Sequence, residues 1–405
     1  MHDPLVYPRE RTLGAITLVL GVLGWIVIVV GTVGIALVYL LLGFLFYLFA
    51  HSGLIAWLRG NGVLLSAQQL PDLRERFDAC CARLAIADAE KPEAYLLQGN
   101  GMLNAFATRF LGRHYVVLLS DIVDAMAEHP GGVEFYIGHE LGHVRMKHLT
   151  GKLWRAPVLW LPVLGAAYSR AKESTCDRHG RACCDSPEAA ARALVALAAG
   201  AERWRGVDLP AYEAQATLTR GFWMSYHELT SGYPWLTKRV ARILHPEIAP
   251  PRRNGLAYLF ALLTPYVGRG GGAAGMIVVL ALVGVVAAVG IPAYRDYEVR
   301  TRLTLAYLSS EPARRGLASY YTEHKEVPAS LEAAGVPATL ADGSQLSLDG
   351  NTMVLTVDSP DGQLVFSPDE SDDGTVTWHC SAGVGVRPAQ LPRECRDDAG
   401  GDAGR

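Results

Sequence analysis

Apolar residues in this chain come in long blocks. From Leu13 to Leu58 there are 46 residues without an Asp, Glu, Lys or Arg. A membrane-crossing helix takes roughly 20 apolar residues, so the block predicts two spans. The glycines of VGTVG, residues 30–34, mark the turn between them. A cleaved signal peptide has an apolar core of only about 7–15 residues, far shorter than this block. A third uncharged run, MIVVLALVGVVAAVGIPAY (276–294), follows the glycine-rich GRGGGAAG and predicts a third span. APVLWLPVLGAAYS (156–169) and LAYLFALLTPYV (256–267) contain proline and fall short of spanning length, as membrane-dipping, interfacial or buried segments do. In GVEFYIGHELGHVRMKH (132–148) the pattern changes: Phe135, Ile137 or Gly138, Leu141 and Val144 recur at helical spacing. HYVVLLSD (114–121), TMVLTVDS (352–359) and GQLVFSP (362–368) read as strands.

Composition adds a division. The 405 residues carry a net charge of −3, but residues 59–254 hold 24 Lys+Arg against 20 Asp+Glu, and residues 293–405 hold 10 against 18. Two bodies of opposite charge are expected, +4 and −8. No basic run with interleaved aromatics points to nucleic acid.

The helical segment spells H-E-x-x-H at His139, Glu140 and His143. In a chain of this composition the motif arises by chance roughly 0.02 times, so it is a strong pointer to zinc chemistry. Two histidines one helical turn apart can offer two imidazoles to one ion. Glu140 lies beside them, placed to take a proton from water. A catalytic zinc needs a third protein ligand. SRAKESTCD (169–177) supplies Glu173 and Asp177, four residues apart on one helical face. Glu173 is the expected ligand, and Asp177 the expected acceptor for the far ring nitrogen of a ligand histidine. The bland alternative is a solvated surface helix. Only 29 residues separate His143 from Glu173, too few for two spans, so residues 156–169 cannot cross the membrane if both bind one ion. His148 falls five residues after His143, off the ligand face, and is expected to play a supporting or surface role.

NAFA (104–107), HELGH (139–143), SRAKESTCD and YPWLTKR (233–239) together resemble the successive motifs of the HtpX-type membrane metallopeptidases. These form family 48 of the metallopeptidases, which also holds the type I CAAX prenyl endopeptidase and the mitochondrial Oma protease. The resemblance covers roughly residues 1–254. It implies a mostly α membrane metallopeptidase of the gluzincin group with an N-terminal transmembrane hairpin. It also implies zinc on His139, His143 and Glu173, and Glu140 as general base. HYVVLLSD is expected, on the same resemblance, to be an edge strand that pairs with an extended substrate. Two positions depart from the family pattern: Cys176 stands where alanine is usual, and Tyr233-Pro234 where His-Pro is usual. Tyr233 and Arg239 are candidates for stabilising the transition state, with His227 as a rival donor.

The C-terminal part resembles another family. IVVLALVGVVAAVGIPAYRDY and the helix-like run after it are similar to the long first helix of type IV pilins, and WHCSAG…LPREC to the pilin C-terminal disulfide loop. This implies an α+β pilin-like domain, with a long helix packed on a small antiparallel sheet and Cys380 joined to Cys395. The processing signal is absent: counted back from Pro292, the usual phenylalanine position is Gly271 and the usual glutamate position Gly275.

The expected organisation is an N-terminal segment and hairpin (1–58), a zinc metallopeptidase domain (59–254) and an interfacial segment with a glycine-rich linker (255–274). A long transmembrane pilin-like helix (275–325), a β-rich domain (326–396) and a disordered tail (397–405) follow. Three spans put the termini on opposite sides, and a disulfide needs the oxidising side. A bacterial inner membrane protein with a cytoplasmic peptidase and a periplasmic tail is therefore expected. Its partners would be the lipid bilayer and polypeptide substrates, misfolded membrane proteins among them. The competing expectation is a catalytically weak scaffold or sensor acting through the pilin-like domain.

Overall fold

The apolar block folds as two helices, α1 (Pro8–Gly31) and α2 (Ile35–Asn61). The turn between them places Val33 and Gly34 at φ 50° and 82°, a left-handed conformation that favours glycine. Large apolar side chains along both helices are exposed, as a lipid-facing surface requires. The computed structural model describes residues 3–129, 131–268, 271–371 and 374–397. Contacts divide the chain into two units, Met1–Leu280 and Ala281–Arg405.

In the first unit, α3 (Pro71–Arg83) precedes a four-stranded sheet of β1 (Val63–Leu64), β2 (Glu93–Leu97), β3 (Ala105–Phe110) and β4 (Arg113–Leu119). The order is β1-β2-β4-β3, with β2 and β4 parallel and the outer pairs antiparallel. This corrects one expectation. The strand within residues 114–121 is interior, paired on both sides, and the exposed edge is β3, which begins in the NAFA motif. The reason is the two-residue turn Leu111-Gly112, both at positive φ, which folds β3 back onto the outer side of β4.

Short α4 (Ser120–Ala125) leads to α5 (Gly132–Arg145), the motif helix. Then come α6 (Lys152–Leu159) and α7 (Leu164–Cys183). Residues 156–169 therefore form parts of two helices rather than one span. α6 lies against α1: a Cβ on Gly21 would stand 2.3 Å from the Trp154 carbonyl oxygen, and the Trp25 indole donates to the Leu153 carbonyl at 2.7 Å. α8 (Pro187–Arg203), α9 (Leu209–Ala214), α10 (Phe222–Thr230), α11 (Leu236–Leu244) and α12 (Gly255–Leu262) complete the body. Phe77, Val116, Phe135, Ile137, Leu141 and Leu194 centre its core.

α13 (Gly271–Ser309) starts at the position expected to be linker and is the third helix long and apolar enough to cross a membrane. α14 (Glu311–His324) continues it, with Ser310 between them in helical backbone at φ −79° and ψ −9°, so that Ala274–His324 runs as one long helix. The second unit adds β5 (Gln345–Leu348), β6 (Leu355–Ser359), β7 (Gly362–Glu370) and β8 (Val376–Ala382), an antiparallel meander, and α15 (Arg393–Asp397). Leu303, Leu317, Leu355, Leu364 and Phe366 form its core around the Cys380–Cys395 disulfide. Closing a loop of this size stabilises a small domain by about 3 kcal/mol in the chain-entropy model. The expected disordered tail lies, from residue 398 on, outside the described residues.

α5 and α7 approach closely because α5 offers glycine at 138 and 142. A Cβ on Gly138 would stand 2.6 Å from the Cys183 sulfur and 2.9 Å from the His179 carbonyl oxygen. Gly138→Ala is therefore expected to destabilise by about 1–3 kcal/mol, the scale of overpacking. Gly43→Ala, in a helical position with nothing within 4 Å, is expected to leave the melting temperature unchanged or raise it. Thermal unfolding of the two variants in one detergent checks the contrast, and equal melting temperatures would show that the helix contact is looser than described.

Candidate metal centre

α5 is buried on nearly every side, so the polar residues of the motif sit inside the protein: His139 is 8% and Glu140 7% exposed. Groups buried in this way require partners. His139 Nε2 lies 3.3 Å from Glu173 Oε2, and His143 Nε2 lies 3.8 Å from Glu173 Oε1. Two imidazoles from α5 thus aim the same nitrogen at the two oxygens of one carboxylate on α7.

The far nitrogens are held as well. His139 Nδ1 is 3.1 Å from Asp177 Oδ1. Asp177 is clamped in turn by Arg239 from α11, Nε to Oδ2 at 2.9 Å and Nη2 to Oδ1 at 2.6 Å. On the other side, His143 Nδ1 is 3.1 Å from His148 Nδ1, and His148 Nε2 is 2.7 Å from Glu10 Oε1. The carboxylates order the protons. Asp177 draws a proton to His139 Nδ1. Glu10 draws one to His148 Nε2, which leaves His148 Nδ1 to accept from His143 Nδ1. With both Nδ1 nitrogens so engaged, each Nε2 is the position a metal ion would take; at His139 the ion would displace the proton that Asp177 and Glu173 hold on the ring.

Glu10 was not visible in the sequence as part of the site. It lies 138 residues from His148, and its signal was only that a carboxylate stood just ahead of a long uncharged block. His148 is buried rather than superficial. α5 ends at Arg145, and Lys147 takes a left-handed φ of 55°, turning His148 back so that its N–H donates to the His143 carbonyl at 3.0 Å.

The electrostatics favour positive charge. Burial opposes the charged form of His139, yet hydrogen bonds to Asp177 and Glu173 outweigh it and raise its pKa to about 10. Burial likewise opposes the Glu173 carboxylate, but the two histidines hold it at about 2. Burial disfavours the charge on Asp177 too, and Arg239 holds its pKa far below the usual range. Two nitrogens and a carboxylate in a buried, anion-rich pocket suit a divalent cation such as zinc. Cys176 adds a second possibility: a ligand atom on each of His139, His143 and Cys176 lies within 4.8 Å of the others. Its sulfur is 3.6 Å from His148 Nδ1, and burial pushes its pKa well above that of an ordinary thiol.

A cavity of about 840 Å³ opens over these groups. Its lining includes Asn104–Ala107 at the start of edge strand β3, with Glu140, Tyr233 and Arg239. Tyr233 follows α10 on a turn fixed by Pro234, and its backbone N–H donates to Ser231 Oγ. His227 is exposed, stacked near Trp223, and is not among the lining residues.

Residues 67–167 match the family model Peptidase family M48, a stretch that contains β3 and the whole motif helix. The C-terminal part matches pilins. The fimbrial protein EcpC of Eikenella corrodens is 26% identical over 136 residues, 31% of this chain and 88% of its own length. A type IV major pilin protein, PilE1 of Neisseria gonorrhoeae, is 25% identical over 152 residues, 31% and 84%. A fimbrial protein of Neisseria meningitidis serogroup A is 28% identical over 119 residues, 27% and 70%. The two matches are consistent with a peptidase fused to a pilin-like region. The family match supports a metallopeptidase function, since M48 peptidases are metal-dependent.

The Glu10–His148 pair generates a stability prediction. Glu10→Ala strips the acceptor from a buried imidazole and is expected to destabilise by about 1–3 kcal/mol. Glu10→Gln, whose amide oxygen still accepts, is expected to lose less. Thermal unfolding of the full chain in detergent ranks the two, and wild-type stability in both would sink the link.

Proposed function

We propose that this protein is a membrane-bound zinc endopeptidase whose metal is held by His139, His143 and Glu173. The convergence of both Nε2 atoms on the Glu173 carboxylate carries this reading. Cys176 is the weaker alternative, because its sulfur lies 3.6 Å from His148 Nδ1, the nitrogen that His143 also approaches. Asp177 orients His139, and Arg239 acts through Asp177, since the guanidinium spends its Nε and Nη2 donors there. His148, held by Glu10, orients His143.

Bound zinc supplies Lewis-acid polarisation of the scissile carbonyl and lowers the pKa of water. Glu140 takes the proton from the attacking water and passes it to the leaving amine. Tyr233, in the wall of the same cavity, is the hydrogen-bond donor to the oxygen that gains charge. An extended polypeptide adds as a strand to the open edge of β3, bringing a peptide bond over Glu140. The α1–α2 hairpin and α13 anchor the enzyme in the bilayer, which favours membrane proteins, including misfolded ones, as substrates. With three spans, the disulfide-bearing pilin-like region faces the oxidising periplasm of a bacterium and the peptidase faces the cytoplasm.

Two measurements test the assignment. Glu140→Gln keeps the volume but cannot accept a proton, so zinc content is expected to stay at the wild-type level. Proteolysis of a casein-type substrate should fall by about 10²–10⁴-fold or more; turnover near wild type would refute the base. Glu173→Ala is expected to lose zinc, whereas Asp177→Ala weakens zinc affinity by about 10–100-fold. Cys176→Ala is expected to retain the metal. Loss of zinc in Cys176→Ala with retention in Glu173→Ala would reverse the ligand assignment.

A further inference from the structure

A second cavity in the first unit, of about 350 Å³, opens where the N-terminal end of α1 meets α7, α11 and the segment before α12. Arg9, Arg170, Arg242 and Arg253 line it with Tyr7 and Tyr258, and its described lining residues include no Asp or Glu. The neighbouring Glu228 is already shared between Lys238, at 2.6 Å, and Arg253, at 2.9 and 3.0 Å. One carboxylate therefore faces several cations, and the pocket holds surplus positive charge. Burial, with Arg253 adding to it, pushes Arg170 down to about 10, and burial lowers Arg242 as well. Arg170 is fixed by the carbonyls of Glu228, Leu229 and Ser231, so the frame of the pocket is rigid. Arg242 donates to Ser174 Oγ at 3.0 Å and stacks over Tyr7. Arg9 is exposed at the second position of α1, where the helix dipole adds to the positive field.

The position of this charge identifies its counterpart. Arg9 stands four residues ahead of the uncharged block, at the depth of lipid headgroups if α1 spans the bilayer. Tyr258 belongs to α12, on which Leu256, Leu259 and Leu262 are 57–59% exposed. Clustered guanidinium groups beside an apolar helix match an anionic head carried on acyl chains. Their planar forks fit phosphate oxygens better than a point charge does. We propose that this pocket binds the phosphodiester headgroup of an anionic phospholipid. A free phosphate would use the same arginines but would gain nothing from α12.

The test uses the full chain in an uncharged detergent and three probes: dihexanoyl phosphatidylglycerol, dihexanoyl phosphatidylcholine and inorganic phosphate. Binding is read from the rise in melting temperature with probe concentration. Phosphatidylglycerol is expected to stabilise the protein at concentrations where the other two do not. Arg9→Gln is expected to weaken it about fivefold and Arg9→Gln with Arg242→Gln about 25-fold, the scale of one interfacial arginine each. Arg203→Gln, on exposed α8 surface, is expected to match wild type. Equal stabilisation by phosphate would assign the site to a free anion and overturn the lipid. Equal stabilisation by phosphatidylcholine, or unchanged affinity in Arg9→Gln, would overturn the pocket altogether. If the double variant does not fold, the exposed Arg9→Gln and the comparison of the two lipids decide.

Discussion

The candidate metal centre depends on how closely α5 and α7 can pack. Its donors come from both helices: two imidazoles from α5, and the carboxylates of Glu173 and Asp177 from α7. A histidine ring and a glutamate side chain reach only so far, so the helix axes must lie close for Nε2 and Oε to come within 3.3 Å. Gly138 and Gly142 allow this on α5. Gly180 allows it on α7, where a Cβ would stand 2.7 Å from the Phe135 carbonyl oxygen. Backbone then meets backbone, and the candidate ligands are held by packing rather than by flexible side chains. The two glycines within G-H-E-L-G are thus as much part of the site as the residues between them.

The same packing buries charge, and burial makes each partner indispensable. Charges inside a protein are tolerated when paired and hydrogen-bonded, and removal of one partner strands the other. Here each motif histidine leads from its Nδ1 to a carboxylate: His139 directly to Asp177, and His143 through His148 to Glu10. The second path ends on α1, a helix long and apolar enough to cross a membrane. Holding the tautomer of one histidine therefore requires the N-terminal end of α1 to be docked on the peptidase body. At that end the Tyr7 N–H donates to Thr175 Oγ1 on α7, and further along the helix the Trp25–Leu153 hydrogen bond and the close fit of Gly21 hold α1 against α6. Anchor and site are mechanically one piece.

What could be read from the sequence follows from the range of each constraint. The motif helix, the pairing of Glu173 with Asp177 at one-turn spacing, and the short strands of the second unit are local patterns. Each has a periodicity that a single chain displays. The edge position of β3 is not local: it depends on which side of β4 the Leu111-Gly112 turn sends the chain. That His148 supports His143 from within the core is not periodic either: the helix stops at Arg145, and the left-handed Lys147 turns the chain back. Arg239 could be placed near the site by resemblance, but only geometry shows its Nε and Nη2 donors engaged by Asp177. Glu10 had no periodic signal at all. A buried carboxylate at the edge of an apolar block is visible as an anomaly, and its partner is not.

The start of α13 shows a constraint of another kind. The resemblance to pilins leads to a glutamate at position 275, and this chain has glycine. The structure supplies a steric reason within the first unit. A Cβ on Gly275 would stand 2.4 Å from the Pro265 carbonyl oxygen and 2.8 Å from Thr264 Cγ2. No side chain fits there without displacing the segment that follows α12. Thr264 is itself tied by hydrogen bonds to the Tyr226 hydroxyl on α10 and to the Phe260 carbonyl on α12. The first turns of a pilin-like helix are thus packed into the peptidase body, at the place where a pilin keeps its glutamate. Restoring that residue would set helix against body, so the glycine follows from joining the two regions through one continuous helix.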